Sequence, residues 1–189
     1  MVTCNATGGE TIQRECTEYV NSLPGNKLAP GQVFCSSAGH LPFAAIVHAV
    51  SCKYDPATGH DKVKEATTNT LKCVSDRRLS SIAIPAIGAG SFNAPIDVST
   101  NAIVMAVKDF LHATPHGCLR DIYLCDMSPA TCQGFVHGLC THFDKTDILV
   151  SSATCSSLPL NINPLNDQQR QQVTLTSQGA MTSLFLLPP

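Results

Sequence analysis

Residues 80–93, Ser-Ser-Ile-Ala-Ile-Pro-Ala-Ile-Gly-Ala-Gly-Ser-Phe-Asn, constrain the fold of this chain more than any other stretch. The run 82–87 is short and apolar, as expected of a strand buried on both faces. Pro85 has no N–H to give to a ladder, so the regular strand is expected to end near it. Gly88, Ala89, Gly90, Ser91 and Phe92 follow as a glycine loop. From Pro95 to Leu111 the apolar residues Ile96, Ile103, Val104, Val107, Phe110 and Leu111 recur at helical spacing. Strand, glycine loop and helix in that order present backbone N–H groups and a helix N-terminus to an anion. Glycine permits positive φ and lets a phosphate approach the backbone closely. The same pattern also suits an ordinary tight turn between a strand and its crossover helix.

The remaining composition narrows the function classes. At 189 residues and 43% hydrophobic, the chain reads as one globular domain with an appendage. A formal net charge of −2 supplies no basic field for nucleic acid. No apolar run approaches the ~20 residues that span a bilayer. The first nine residues have neither the basic region nor the apolar stretch of a signal peptide. The expectation is an intracellular protein, in nucleus or cytoplasm, without a nucleic-acid or membrane partner. Ten cysteines, at 4, 16, 35, 52, 73, 118, 125, 132, 140 and 155, then read as free thiols in a reducing compartment. Cys125, Cys132, His137, Cys140 and His142 are the only zinc-like cluster, and their spacing fits no standard finger. Small apolar packing on a helix is the preferred reading, so no metal site is expected.

Taken in order, residues 11–20 carry Ile12, Cys16, Tyr19 and Val20 on one helical face, with Arg14, Glu15, Thr17 and Glu18 mostly opposite. Pro24-Gly25-Asn26 stops that helix. Residues 32–37 and 43–50 read as strands, and His48, inside the second, as a half-buried histidine satisfied by a neighbouring carbonyl. A polar-rich helix over 60–74 buries Val63, Ala66, Leu71 and Val74. Arg77 and Arg78 form a charged corner, solvated or meeting phosphate. Residues 119–124 are a further strand, Asp126 and Ser128 are helix-start candidates, and a helix runs from about 129 to 143. Strands alternate with helices, the pattern of an α/β layered domain with a largely parallel sheet. Ligands of such sheets bind beyond the carboxyl ends of the strands, where both 88–92 and 125–128 fall. After about residue 145 the composition turns polar and low in complexity, read as a disordered tail or linker over 146–189, with short strands at 147–150 and 173–176 as candidates.

Together these residues resemble the macrodomain family, which binds ADP-ribose. Residues 81–90 with Ser-Phe-Asn and the following helix look like the second ligand loop of that family. Gly8-Gly9 and the helix after it, the strands near 28–33 and 46–50, and Leu119-Arg-Asp-Ile-Tyr-Leu124 are similar to its other landmarks, in the same order. The flavour is that of the tandem macrodomains of large ADP-ribosyltransferases. The resemblance implies a three-layer α/β/α fold over 1–145 with a mixed, mostly parallel sheet, incomplete at its amino end. It implies ligand contacts from Ile87, Gly88, Ala89, Gly90, Ser91, Phe92, Cys125 and Asp126. The amides of Gly88, Ala89, Gly90 and Ser91 would meet the diphosphate, Phe92 the distal ribose, and Cys125 and Asp126 the adenine. Each hydrogen bond to a charged group is worth roughly 1.5–3 kcal/mol.

The sequence also departs from the family. It starts downstream of the family's adenine-binding aspartate, asparagine loop and first glycine loop, which implies loss of about half the pocket and of an interior strand. Loss of the carboxylate alone is expected to cost ~1.5–3 kcal/mol, roughly ten- to a hundredfold in affinity. Ser51-Cys52 stands where the family has Gly-Pro, and Cys125 where an aromatic often stacks on adenine. The first reading is therefore a weakened ADP-ribose recognition module for free or protein-linked ADP-ribose, with no catalytic residue. The alternatives are a hydrolase of the ADP-ribosyl link, a fragment of a transferase whose catalytic domain is absent here, and a degenerate interaction fragment. No cofactor is implied; NAD would enter only through a parent transferase.

Overall fold

The amphipathic stretch at the amino end folds as helix α1, Glu10–Ser22. Ile12 and Cys16, one turn apart, are buried, while Arg14 and Glu18 pair 3.9 Å apart on the exposed side. Pro24 opens a short 3-10 turn, Pro24–Asn26, that ends it. Strands β1, Val33–Ser36, and β2, Ile46–Ala49, pair antiparallel, with Phe34 opposite His48 and Cys35 opposite Val47. The second strand starts later than its apolar run because residues 38–43 are turned. The Leu41 amide donates to the Ala38 carbonyl at 3.0 Å and the Phe43 amide to the Leu41 carbonyl at 2.8 Å. Helix α2, Gly59–Asp76, buries Val63, Ala66, Leu71 and Val74, the expected stripe. Strand β3, Ser81–Ile84, stops before Pro85 for the reason given by the sequence. Helix α3, Ile96–Ala113, strand β4, Asp121–Cys125, and helix α4, Pro129–His142, complete the alternation. Ser128 caps α4 through its hydroxyl, which accepts from the Thr131 amide at 3.4 Å.

The computed structural model describes residues 8–115, 117–144 and four strand segments farther on: β5 (Ile148–Val150), β6 (Leu160–Ile162), β7 (Gln172–Thr176) and β8 (Leu184–Phe185). The described strands form one sheet in the order β1-β2-β8-β3-β4-β7-β6-β5. Segments of the stretch read as a tail are thus sheet strands, and β5 and β7 coincide with the two short strands expected there. The remainder of 146–189 lies outside the described residues. The sheet is mixed, as expected, but parallel pairing is confined to β3/β4 and β4/β7. The other pairings are antiparallel because β8 runs against both β2 and β3, and β5, β6 and β7 fold back on one another. Phe185 lies opposite Ile46 on one side and Ala83 on the other, so β8 fills the interior position that the family resemblance left vacant.

The two faces of the sheet are covered by different elements. Ile46 and Val47 are adjacent in β2 and both fully buried, yet they belong to separate apolar clusters, because successive strand residues point to opposite faces. Ile46 joins Ile12, Cys16, Ala38 and Leu41 beneath α1. Val47 joins Ile82, Ile84, Ile122 and Leu124 beneath α2, α3 and α4. The result is the three-layer α/β/α arrangement. Helices α3 and α4 approach closely because α4 carries glycine at two facing positions. A Cβ at Gly134 would lie 2.9 Å from Thr100 Oγ1, and one at Gly138 would lie 3.2 Å from Val104 Cγ2.

Candidate functional site

The loop after β3 is shaped by Gly88, whose φ of 82° places it in the left-handed region. A Cβ there would also lie 3.0 Å from Ser51 Oγ. The Ala94 amide donates to the Gly88 carbonyl at 2.9 Å, the Asn93 amide to Gly90 at 2.9 Å, and the Ala89 amide to Ala86 at 3.3 Å. Among the described residues, the amides of Gly88, Gly90, Ser91 and Phe92 have no acceptor. The loop therefore offers a run of donors, with the Ala89 amide, one of the expected contacts, turned inward instead. The buried Ser99 hydroxyl, in the first turns of α3, donates to the Ile87 carbonyl at 2.8 Å and ties loop to helix. Ile87 itself is buried beneath the loop. Gly90 is exposed and a Cβ on it would meet nothing within 4 Å, so the loop's tip faces open space.

Strand direction decides what else lies at this edge. Strands β3 and β4 are parallel and in register, Ile84 opposite Leu124, so Gly88–Phe92 and Cys125–Asp126 leave the sheet at the same edge. Strand β2 also ends there, because β8 is antiparallel to both β2 and β3. This brings in residues the sequence reading did not assign to the site. Ser51 sits against Gly88, and the Tyr54 amide donates to the Phe92 carbonyl at 2.9 Å. Their signal was the position after the histidine strand, which only the sheet order converts into proximity. The Asp126 carboxylate accepts from the Ser128 amide at 2.9 Å, and its carbonyl accepts from the Cys132 thiol at 3.5 Å. One carboxylate oxygen is thus engaged by the turn into α4. Burial, followed by the charges of Asp126 and Cys132, pushes the Cys125 thiol up to about 11. It is a neutral wall at physiological pH.

Among the described residues the exposed large hydrophobics are Phe92 (42%), Ile96 (37%) and Met127 (61%). Each follows β3 or β4 within the loops or the helix start at this edge. Apolar surface beside unclaimed amides suits a ligand with flat rings and a charged linker.

Other residues singled out in the sequence lie elsewhere. Arg77 and Arg78 end α2 and precede β3, so they sit at the opposite edge of the sheet from the glycine loop. The His48 ring is bonded by the Ser36 hydroxyl at 2.9 Å rather than by a carbonyl, and stacks on Phe34 at 6.0 Å. The Ser36 hydroxyl also reaches the Ser37 carbonyl at 2.8 Å, and the Cys16 sulfur lies 3.5 Å from the same ring nitrogen. Burial lowers the pKa of this ring, against a smaller opposing pull from Glu15. His142 accepts from Asn101 at 3.0 Å, and Asn101 meets His60 at 3.4 Å, a polar chain across α4, α3 and α2.

Known proteins are similar to this chain in sequence and fold. The family profile described as Macro domain matches residues 3–103. The human protein mono-ADP-ribosyltransferase PARP14 is 29% identical over 185 residues, covering 94% of this chain and 10% of that protein. An uncharacterised protein of Sulfurisphaera tokodaii is 35% identical over 102 residues, 54% of either chain. This chain thus spans about half of one relative and a tenth of the other. A mutant of the Oceanobacillus iheyensis macrodomain, solved with ADPR, superposes with a TM-score of 0.65 at 25% identity, over 72% of this chain and 74% of that one. Because the profile match spans more than half of its residues, the chain belongs to the Macro domain family.

Proposed function

We propose that this chain is an ADP-ribose recognition module, its ligand lying along the edge where β2, β3 and β4 end. The observation that carries this reading is the loop from Gly88 to Phe92, whose unclaimed amides stand beside exposed Phe92, Ile96 and Met127. A diphosphate takes the amides of Gly88, Gly90 and Ser91. Phe92 packs on the distal ribose. Cys125, Asp126 and Met127 border the adenine, with the neutral thiol adding contact without repelling the anion. The Oceanobacillus relative solved with ADPR supports this ligand class. The 29% identity to the human transferase along nearly the whole chain supports a kinship with macrodomains of large ADP-ribosyltransferases. On this reading the physiological partners are free ADP-ribose and ADP-ribosylated proteins, met in nucleus or cytoplasm. No residue is assigned a catalytic step.

The test is calorimetric titration of ADP-ribose into the full chain, with circular dichroism to establish folding. Saturable binding is expected, and Gly90→Val is expected to weaken it at least about tenfold, the value of one charged hydrogen bond. The added side chain projects into open space, so the variant should fold. A folded wild-type chain that gives no binding heat overturns the proposal. Equal affinity in a folded Gly90→Val variant removes the loop from the site.

A further inference from the structure

We propose that His60, Asn101 and His142 form a proton-gated clasp between α2, α3 and α4, closed while at most one of the two histidines is charged and opened when both are. The clasp does not depend on the ligand reading. His60 stands in the first turn of α2, Asn101 in the second turn of α3, and His142 is the last residue of α4. All three are half-buried. The Asn101 carboxamide lies between the two rings. Its Oδ1 is 3.4 Å from Nε2 of His60, and its Nδ2 is 3.0 Å from Nε2 of His142. The other nitrogen of His60, Nδ1, lies 3.3 Å from the Asp61 carboxylate. Lys108 donates from Nζ to the His142 carbonyl at 2.6 Å.

A carboxamide accepts at its oxygen and donates at its nitrogen. Of the two Nε2 atoms that it joins, one must therefore carry a hydrogen and the other a lone pair, whichever way the amide is turned. As it stands, oxygen faces His60, and His142 accepts from the amide nitrogen. Both nitrogens of His60 then face oxygen, the arrangement that suits an imidazolium, and His142 is neutral with its hydrogen on Nδ1. When His60 is neutral and gives its one hydrogen to Asp61, its Nε2 becomes an acceptor. The amide turns over, and His142 must move its hydrogen to Nε2. With both rings charged, both Nε2 atoms carry hydrogen and one of them meets the amide N–H groups, so that bond is lost. The surroundings set the order of filling. Burial, then the charges of Lys108 and His60, lower the His142 pKa against a smaller opposing pull from Asp109, and Lys64 adds to the lowering. Asp61 and Lys64 of α2 and Lys108 and Asp109 of α3 are thus the charges around the rings, with Lys64 and Asp109 paired at 2.8 Å. His60 takes the first proton and His142 the second. Lys108 holds the end of α4 through its carbonyl in either state, so opening frees the ring rather than the helix.

The experiment follows the ring nitrogen-15 shifts of the full chain by NMR from about pH 8 to pH 5, the histidine range. His60→Gln and His142→Gln assign the signals. In wild type, His142 is expected to pass from the Nε2–H to the Nδ1–H form as His60 takes up its proton, and to become charged only at lower pH. In Asn101→Leu, which keeps the bulk and removes the bonds, that change of tautomer is expected to be lost. In Asn101→Asp a carboxylate accepts from both rings, and His142 is expected to bind its proton about tenfold more tightly. A His142 ring that keeps one tautomer throughout the wild-type titration of His60 overturns the proposal. So does a folded Asn101→Leu chain in which the change of tautomer persists, or an Asn101→Asp chain whose His142 binds its proton no more tightly than in wild type.

Discussion

The two faces of the sheet are built on different principles. Beneath α2, α3 and α4 the core is apolar, and two of its helix hydroxyls are folded back on local carbonyls. Thr67 donates to Val63 at 2.9 Å and Thr100 to Ile96 at 2.8 Å. Beneath α1 the cluster is small and shares its space with His48, Ser36 and Cys16, while Glu15 accepts from the amide and hydroxyl of Ser37, both at 2.7 Å, at its margin. Apolar burial scales with area, so the first face holds most of the stability. The second face holds His48 and Glu15, whose protonation shifts on folding, so part of the sensitivity to pH belongs there, with His142 on α4 adding to it from the first.

Mutation on each face tests this division. Phe135, fully buried between α4 and α3, should cost about 3–5 kcal/mol on replacement by alanine, read from the denaturant midpoint at constant slope. A loss under about 1 kcal/mol would show that this face is not the main store. On the α1 face, Gly39 has a φ of 57°, and a Cβ there would run into the Gly8 carbonyl. Gly39→Ala should cost more than about 1 kcal/mol by the same measurement. Next comes pH. The His48 pKa is lowered in the fold, so the unfolded chain takes up its proton first as pH falls below ~6.5, and stability drops with it. His48→Gln should flatten the melting temperature between pH 7.5 and 5.5; an unchanged slope would place the sensitivity elsewhere. His142 shifts the same way but is less buried and should contribute less. Smallest is Glu15, lowered by its bonds to Ser37 and largely exposed. Glu15→Gln should remove roughly 0.5 kcal/mol or less at neutral pH, a loss that wild type itself suffers as pH falls through the carboxylate range.

Much of the fold is written locally. Pro85 ends β3, the stripe from Val63 to Val74 defines α2, and Ser128 starts α4, each from a few neighbouring residues. The glycine loop is legible for the same reason, since Gly88 and the helix behind it lie within one short stretch. What was not legible is long-range. Nothing near Ser51 or Tyr54 indicates that they border the loop until the direction of β2 is known. The Ala89 amide turns inward because of turn geometry, which residue type does not specify. Strands of two or three residues, such as β6 and β8, are too short for alternation to register.

The placement of β8 has a consequence for how the molecule is assembled. Strands β2 and β3 are made early and run the same way, yet neither pairs with the other; each pairs with residues 184–185, far downstream. Until that segment is synthesised and inserted, a growing chain carries two facing, unsatisfied strand edges. Such edges recruit other chains as readily as their own, and contacts so distant in sequence form late. Crowding during synthesis therefore sets a race between self-completion and strand exchange with a neighbour, and a segment of two residues decides it.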